Sequence, residues 1–382
     1  MPLPLAFLAP EVMRSPSRIL VIKSRHLGDV LLTGPLVSTL RRNHPGARII
    51  ALVKAGTTAM LAGHPHLDEV RAFPVRTAGE SRMAFGWRWF LWLRQLRGLG
   101  CDWAINTTEG DRGIVAAFLS GAWRRTGIIK GRGRRWRRWL LTEVVPRIEG
   151  ERHTVVGHFE LLTDPLPFGR DRSVRMAFAD EDAARVEELL RGEGWDGRQA
   201  LVQVHPTSRW FFKCWSDAGM ARVIDHLLSL GMGVVLTSGP EARERERLTA
   251  IEAACRGRPM DLGGRLSLPQ LAALSRRCRF FFGVDTAPMH LAAALGVPVV
   301  GIFGPSSVTT WGPWPNGWAG EGRSPYPEPR GVQEAFPHVA IQKDWPCVPC
   351  QRDGCEGSKR SACLEELTPE EVLPILEKVL AR

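Results

Sequence analysis

Apolar residues along this chain fall into two patterns, short unbroken runs and longer stretches at helical spacing, and the two alternate. Residues 19–22 form a run of Ile, Leu and Val; a small polar stretch follows; Leu31, Leu32, Leu36, Val37 and Leu40 then recur at helical spacing before a second run at 49–53. The runs suit strands buried on both faces and the spaced residues suit a helix with one buried stripe, so the segment predicts strand, loop, helix and parallel strand. Further strands are predicted at 69–73 and 103–106. The segment PLPFGRDRSVRMAF (165–178) is polar with two prolines and reads as a linker. Beyond it a helix at 182–191 precedes strands in ALVQVH, GVVLTS, FFFGV and PVVGIF, with helical spacing between them.

Strands alternating with helices make doubly wound parallel sheets, and 382 residues exceed what one core normally supports. The expected fold class is α/β, with two Rossmann-like domains facing across a central cleft: an acceptor-binding domain over 1–180, a nucleotide-binding domain over 181–363, and a closing helix at 364–382 that packs back on the first domain. Ligands of open α/β sheets bind beyond the carboxyl ends of the strands.

Composition adds a direction. With 44% hydrophobic and 24% charged residues the chain is ordinary and globular, but 51 Lys and Arg against 40 Asp and Glu give +11. That surplus points to an anionic partner: nucleic acid, a membrane surface or a phosphorylated ligand. No apolar run reaches the roughly 20 residues that span a bilayer, and the first residues make a poor secretory signal, so a cytoplasmic protein is expected.

Four strand ends carry polar clusters. In GVDTAPMHLAAALGVPVVGIFGP (283–305), Asp285 and Thr286 end a buried strand and His290 lies on the first turn of the following helix. Unpaired N–H groups there favour an anion, and a plain N-cap is the competing reading. In SRHLGD (24–29), Gly28 permits a tight turn and Asp29 opens a helix, again as site or cap. In HPTSRWFFKCW (205–215), Thr207, Ser208, Arg209 and Lys213 surround a turn and suit phosphate oxygens; a solvated loop is the alternative. SGPE (238–241) presents Glu241 after a strand, where ribose hydroxyls are commonly held. The one literal D-x-D, Asp180-Glu181-Asp182, opens an amphipathic helix and reads as capping.

These segments carry a resemblance. The stretch 283–305 looks like the signature of the glycosyltransferase family 9 heptosyltransferases, and HLGDVLLTGPL resembles that family's amino-terminal motif. HPTSRWFFKCW, RHLGDVLLT and the terminal CVPCQRDGC resemble its lipopolysaccharide heptosyltransferase III subgroup. The resemblance implies a GT-B fold, ADP-L-glycero-D-manno-heptose as donor, a heptose of the lipid A-core inner region as acceptor, and inversion with no metal or other cofactor in catalysis. It implies Asp29 as general base, Lys213 at phosphate, Glu241 at ribose, and Asp285, Thr286 and His290 as a donor trio. Thr207 and Ser208 belong to the same donor side. Rival readings are a nucleotide-sugar epimerase of the same fold and a non-catalytic nucleic-acid-binding protein.

Between Arg112 and Thr142 there is no acidic residue, and WRRTGIIKGRGRRWRRW mixes eight Arg or Lys with three Trp. Such a tract suits anionic lipid or phosphorylated sugar, so Arg25, His26, Arg134, Arg135, Arg137 and Arg138 are expected on the acceptor and membrane side, peripheral on the inner face of the cytoplasmic membrane. Single-stranded nucleic acid is the competing partner, but no RNA-binding signature accompanies the tract and none is expected. Cys347, Cys350, Cys355 and Cys363 leave three alternatives open: a structural zinc site, free thiols or a disulfide.

Overall fold

The computed structural model describes residues 15–129, 135–146 and 150–382. Among them two sheets form. The first has six parallel strands in the order β3-β2-β1-β4-β5-β6: β1 (Arg18–Lys23), β2 (Arg48–Val53), β3 (Glu69–Ala72), β4 (Trp103–Asn106), β5 (Arg124–Gly127) and β6 (Glu143–Val144). The second runs β12-β13-β11-β10-β7-β8-β9: β7 (Leu201–His205), β8 (Gly233–Leu236), β9 (Met260–Asp261), β10 (Phe280–Val284), β11 (Val299–Ile302), β12 (Gln333–Ala335) and β13 (His338–Ile341). Only the edge strand β12 is antiparallel.

On the first sheet the connecting helices are α1 (Leu27–Leu31), α2 (Gly34–Asn43), α3 (Arg82–Gly98), α4 (Asp111–Leu119), α5 (Arg135–Leu140) and α6 (Thr154–Phe159). On the second they include α7 (Asp180–Gly192), α8 (Asp217–Ser229), α9 (Ala242–Ala254), α10 (Leu268–Arg277) and α11 (Ala287–Ala294). Alternate residues of β1 serve opposite layers, as a strand's two-residue period requires. Ile19 and Val21 join α1, α2 and α6, while Leu20 and Ile22 join α3 and α4. The sequence reading misses β5, because RRTG is not apolar. Arg124 is nevertheless buried, paired with Glu143 at 2.8 Å and with Asp164, its guanidinium 4.0 Å from the Trp103 ring centre. A buried charge survives only when paired, and here it is paired twice.

The two halves share one apolar core. Leu271, Ala272, Leu291, Ala294 and Trp314 of the second half pack with Val30, Leu36 and Phe159 of the first. The linker crosses this seam as a fixed strap: Val174 and Asn316 exchange two hydrogen bonds of 2.9 Å, and the Trp314 indole N–H donates to the Arg172 carbonyl at 2.7 Å. The closing helix Pro369–Leu380 lies elsewhere than expected. Val372, Leu376 and Val379 pack with α8 and the second sheet, not on the first domain, because their apolar stripe continues that sheet's core.

Candidate active site

α1 and α11 meet end on at the seam. Gly28 makes this approach feasible: a Cβ there would lie 2.9 Å from the Cδ2 of His290. Asp29, in the first turn of α1, and His290, in α11, are thereby brought together although 261 positions apart (290 − 29).

Asp29 is held from behind by a side chain that the sequence reading missed. Lys23 closes β1, is buried, and lies 3.4 Å from Asp29 Oδ1, 3.2 Å from His158 Nε2 and 3.3 Å from the Thr107 carbonyl. An ammonium has three N–H donors, and these are three acceptors. His158 Nδ1 faces the Leu32 carbonyl at 3.1 Å, which can only accept, so Nδ1 carries the proton and Nε2 accepts from Lys23. Burial and the neighbouring ammonium keep His158 neutral, well below the usual imidazole range. Burial pulls Lys23 downward as well, opposed by Asp29. Neither residue shows in the pattern, since Lys23 ends an apolar run and His158 lies in TVVGHF, with nothing local to link them.

The second half supplies the facing wall. Lys213 Nζ is 2.7 Å from Asp285 Oδ2. Burial pushes the Asp285 carboxyl up, but Lys213 and the Ser306 hydroxyl outweigh it and leave it below the ordinary carboxylate range. Thr286 occupies the N-cap position of α11 without a side-chain capping bond, so its hydroxyl is not used as a cap. Burial brings His290 down to about 4, Asp285 and Asp29 opposing and Lys213 adding to the fall. It is neutral near pH 7, and its Nδ1 is buried without a hydrogen-bond partner among the described residues. A lysine, a free hydroxyl and a helix N-terminus therefore converge where an anion would be held.

The remaining expected donor residues divide. Ser208 is buried and its Oγ accepts from the Trp210 N–H at 3.3 Å. Thr207 is wholly buried and its hydroxyl donates a hydrogen bond to Glu244 Oε2 at 2.9 Å, so it supports Glu244 instead of facing the cleft. Glu241 stands exposed at the N-cap of α9, while Glu244, one turn later, is the buried carboxyl, pushed up chiefly by burial and also accepting from the Gly239 N–H at 3.2 Å. Glu244 was not foreseen, because burial of one glutamate in the polar run ARERERL (242–248) leaves no local signal. Asp182 caps α7, accepting from the Ala179 N–H at 3.0 Å.

On the other side, Arg25 and His26 lie at the surface; partial shielding of the His26 ring lowers it, with Lys54, Arg25 and Arg209 adding to the fall and Asp29 opposing it. Of the basic tract, Arg135 and Arg138 are exposed. Arg137 is not: it is buried and paired with Asp111 at 2.5 Å, which removes it from the expected acceptor and membrane side. Arg134 lies outside the described residues. The terminal Cys347 and Cys355 are exposed, Cys350 is half-buried and Cys363 is buried, all as free thiols. Burial and the three neighbouring cysteines push the Cys363 thiol up to about 11. Among the described residues no three His, Cys, Asp or Glu side chains form a group that could hold a metal ion.

Residues 92–322 match the family model described as glycosyltransferase family 9 (heptosyltransferase). Lipopolysaccharide heptosyltransferase 3 of Escherichia coli is 32% identical over 309 residues, covering 78% of this chain and 88% of that protein. Among solved structures, a glycosyltransferase family 9 protein from Veillonella parvula superposes with a TM-score of 0.75 at 20% identity, over 96% of this chain and 97% of that one. The E. coli ADP-heptose lipopolysaccharide heptosyltransferase II superposes at 0.71 and 21% identity, over 95% and 98%. A relative of that identity along most of both chains, together with the family model's match, shows that this chain belongs to glycosyltransferase family 9, the heptosyltransferases.

Proposed function

We propose that this protein transfers heptose from ADP-heptose to a heptose of the lipopolysaccharide core, with Asp29 as the base on one wall and the α11 end as the donor seat on the other. The observation that carries the reading is the meeting of α1 with α11 at Gly28, which sets the Asp29 carboxylate near the N-terminus of α11. Family membership supports the same substrates. In the transfer, Asp29 accepts the proton of the attacking acceptor hydroxyl. The oxygen of that hydroxyl bonds to the anomeric carbon from the face opposite the diphosphate, and the bond to the phosphate oxygen breaks with its electron pair leaving on ADP. Lys213, the Thr286 hydroxyl and the N–H groups that open α11 meet the charge that develops on the diphosphate, so catalysis needs no metal. Glu241 and Glu244, side by side at Gly239, are the carboxylates that would meet the ribose.

The acceptor is lipid-linked, and we read the protein as peripheral on the inner face of the cytoplasmic membrane. Among the described residues no helix is long and apolar enough to cross a membrane. The test is incubation with ADP-heptose and truncated core oligosaccharides in the presence of EDTA, followed by mass spectrometry and NMR of the new linkage. One added heptose with inverted configuration is expected. An epimerised nucleotide sugar with no acceptor product would overturn the transferase reading, and dependence on added Mg²⁺ or Mn²⁺ would overturn the metal-free one.

A further inference from the structure

Apart from the basic and aromatic tract at 123–139, exposed apolar side chains gather on α3. Its inner face, with Trp89, Trp92 and Leu96, packs on the first sheet opposite the seam between the domains. Its outer face is apolar too: Met83 is 86% exposed, Trp87 63%, Phe90 47% and Leu91 41%. These positions follow the spacing i, i+4, i+7, i+8, so they form one stripe along the helix. Trp87 and Phe90 stack on each other with ring centres 5.5 Å apart. A helix normally buries its apolar stripe, and α3 carries a second one in the open.

The charge around the stripe is of one sign. No Asp or Glu occurs between Ser81 and Cys101. Arg88 is neutralised by Glu80 at 2.7 Å, whereas Arg82, Arg94 and Arg97 are exposed and, among the described residues, have no carboxylate partner. Arg94 continues the stripe itself, seven positions after Trp87. Phe118 and Trp123, at and just after the end of the neighbouring α4, are exposed as well.

We propose that α3 is the element by which this protein docks on a bilayer carrying anionic lipid, the Trp87–Phe90–Leu91 stripe lying among the headgroups with Arg82, Arg94 and Arg97 against their phosphates. Aromatic and aliphatic side chains flanked by arginine, with no acid to repel the surface, suit the interfacial layer on both counts. The proposal rests on the acceptor being membrane-borne. It also centres the docking surface on α3, whose segment FGWRWFLWLRQLRGLG (85–100) is itself rich in aromatic and basic residues, instead of on the tract at 123–139.

Flotation with vesicles of phosphatidylglycerol and phosphatidylcholine, without any sugar, tests it. The wild-type protein is expected to bind these vesicles about tenfold or more tightly than pure phosphatidylcholine. The variant Trp87→Ser/Phe90→Ser/Leu91→Ser is expected to lose about tenfold or more of that binding, and Arg94→Glu/Arg97→Glu to lose the preference for anionic lipid. Both should keep wild-type ADP affinity and transfer to a deacylated, water-soluble acceptor, which shows that they fold. Failure of transfer to the soluble acceptor by the wild-type protein would count against the transferase reading and leave docking to be judged by flotation. Wild-type binding retained by the triple variant, no vesicle binding by the wild-type protein, or a wild-type dimer that the triple variant dissolves would each overturn α3 as a membrane-docking element.

Discussion

Lys23 and Lys213 show how two lysines of the same charge come to do different work. Lys23 is sealed in, with every N–H directed at a protein acceptor, so it can fix Asp29 but cannot reach a ligand. Replacing it by Met should lower kcat by about 10²-fold through loss of position at Asp29 while leaving ADP affinity within twofold; calorimetry and initial rates check the split. Lys213 remains partly exposed and is shared between Asp285 and the cleft. Lys213→Ala should weaken ADP binding about 10–100-fold, the loss of one charge-assisted hydrogen bond. It should also let burial dominate at Asp285, raising that carboxyl. Unchanged ADP affinity would remove Lys213 from the donor seat. Asp285, Thr286 and His290 were legible as a cluster because one strand–helix junction, within six positions, presents all three. Lys23, His158 and Glu244 were not, since each acquires its meaning from a partner brought close only by folding, 135 positions away in the Lys23–His158 contact.

At the scale of elements, the site depends on two helix ends touching. Gly28→Ala places a methyl 2.9 Å from a His290 ring that is itself buried and cannot swing away. Overpacking of this kind costs about 1–3 kcal/mol. The variant should therefore unfold earlier in urea and, because α1 must back away, turn over more slowly than its stability loss alone explains; wild-type stability and rate would mean that the helices do not meet in solution. The alternation of apolar runs and helical spacing made the central strands of both sheets readable from sequence. It missed β5, whose buried arginine is paired by groups on other elements, and it gave no role to the loop at 312–320. That loop turns out to strap the domains together through Trp314 and Asn316. The closing helix was misplaced because an amphipathic stripe says that a face is buried, not against which sheet.

Over the whole molecule, buried neutral histidines set the response to acid. Burial brings His64 and His290 to about 4 and His153, His205 and His338 to about 3. In the unfolded chain each titrates near 6.5. Above that pH both states are neutral and stability is full; below it the unfolded chain takes up protons that the folded one refuses. Stability should therefore fall as pH drops from 6.5 toward 4. The midpoint of urea unfolding should drop sharply between pH 7 and pH 5, and a flat midpoint would show that these side chains are not buried neutral. The division of labour between the domains, a base on the first and a donor seat on the second, is tested most directly by kcat of Asp29→Asn at saturating ADP-heptose. A fall of about 10²–10⁴-fold, with ADP still bound as in the wild-type protein, is the predicted result. A kcat within tenfold of wild type would contradict it.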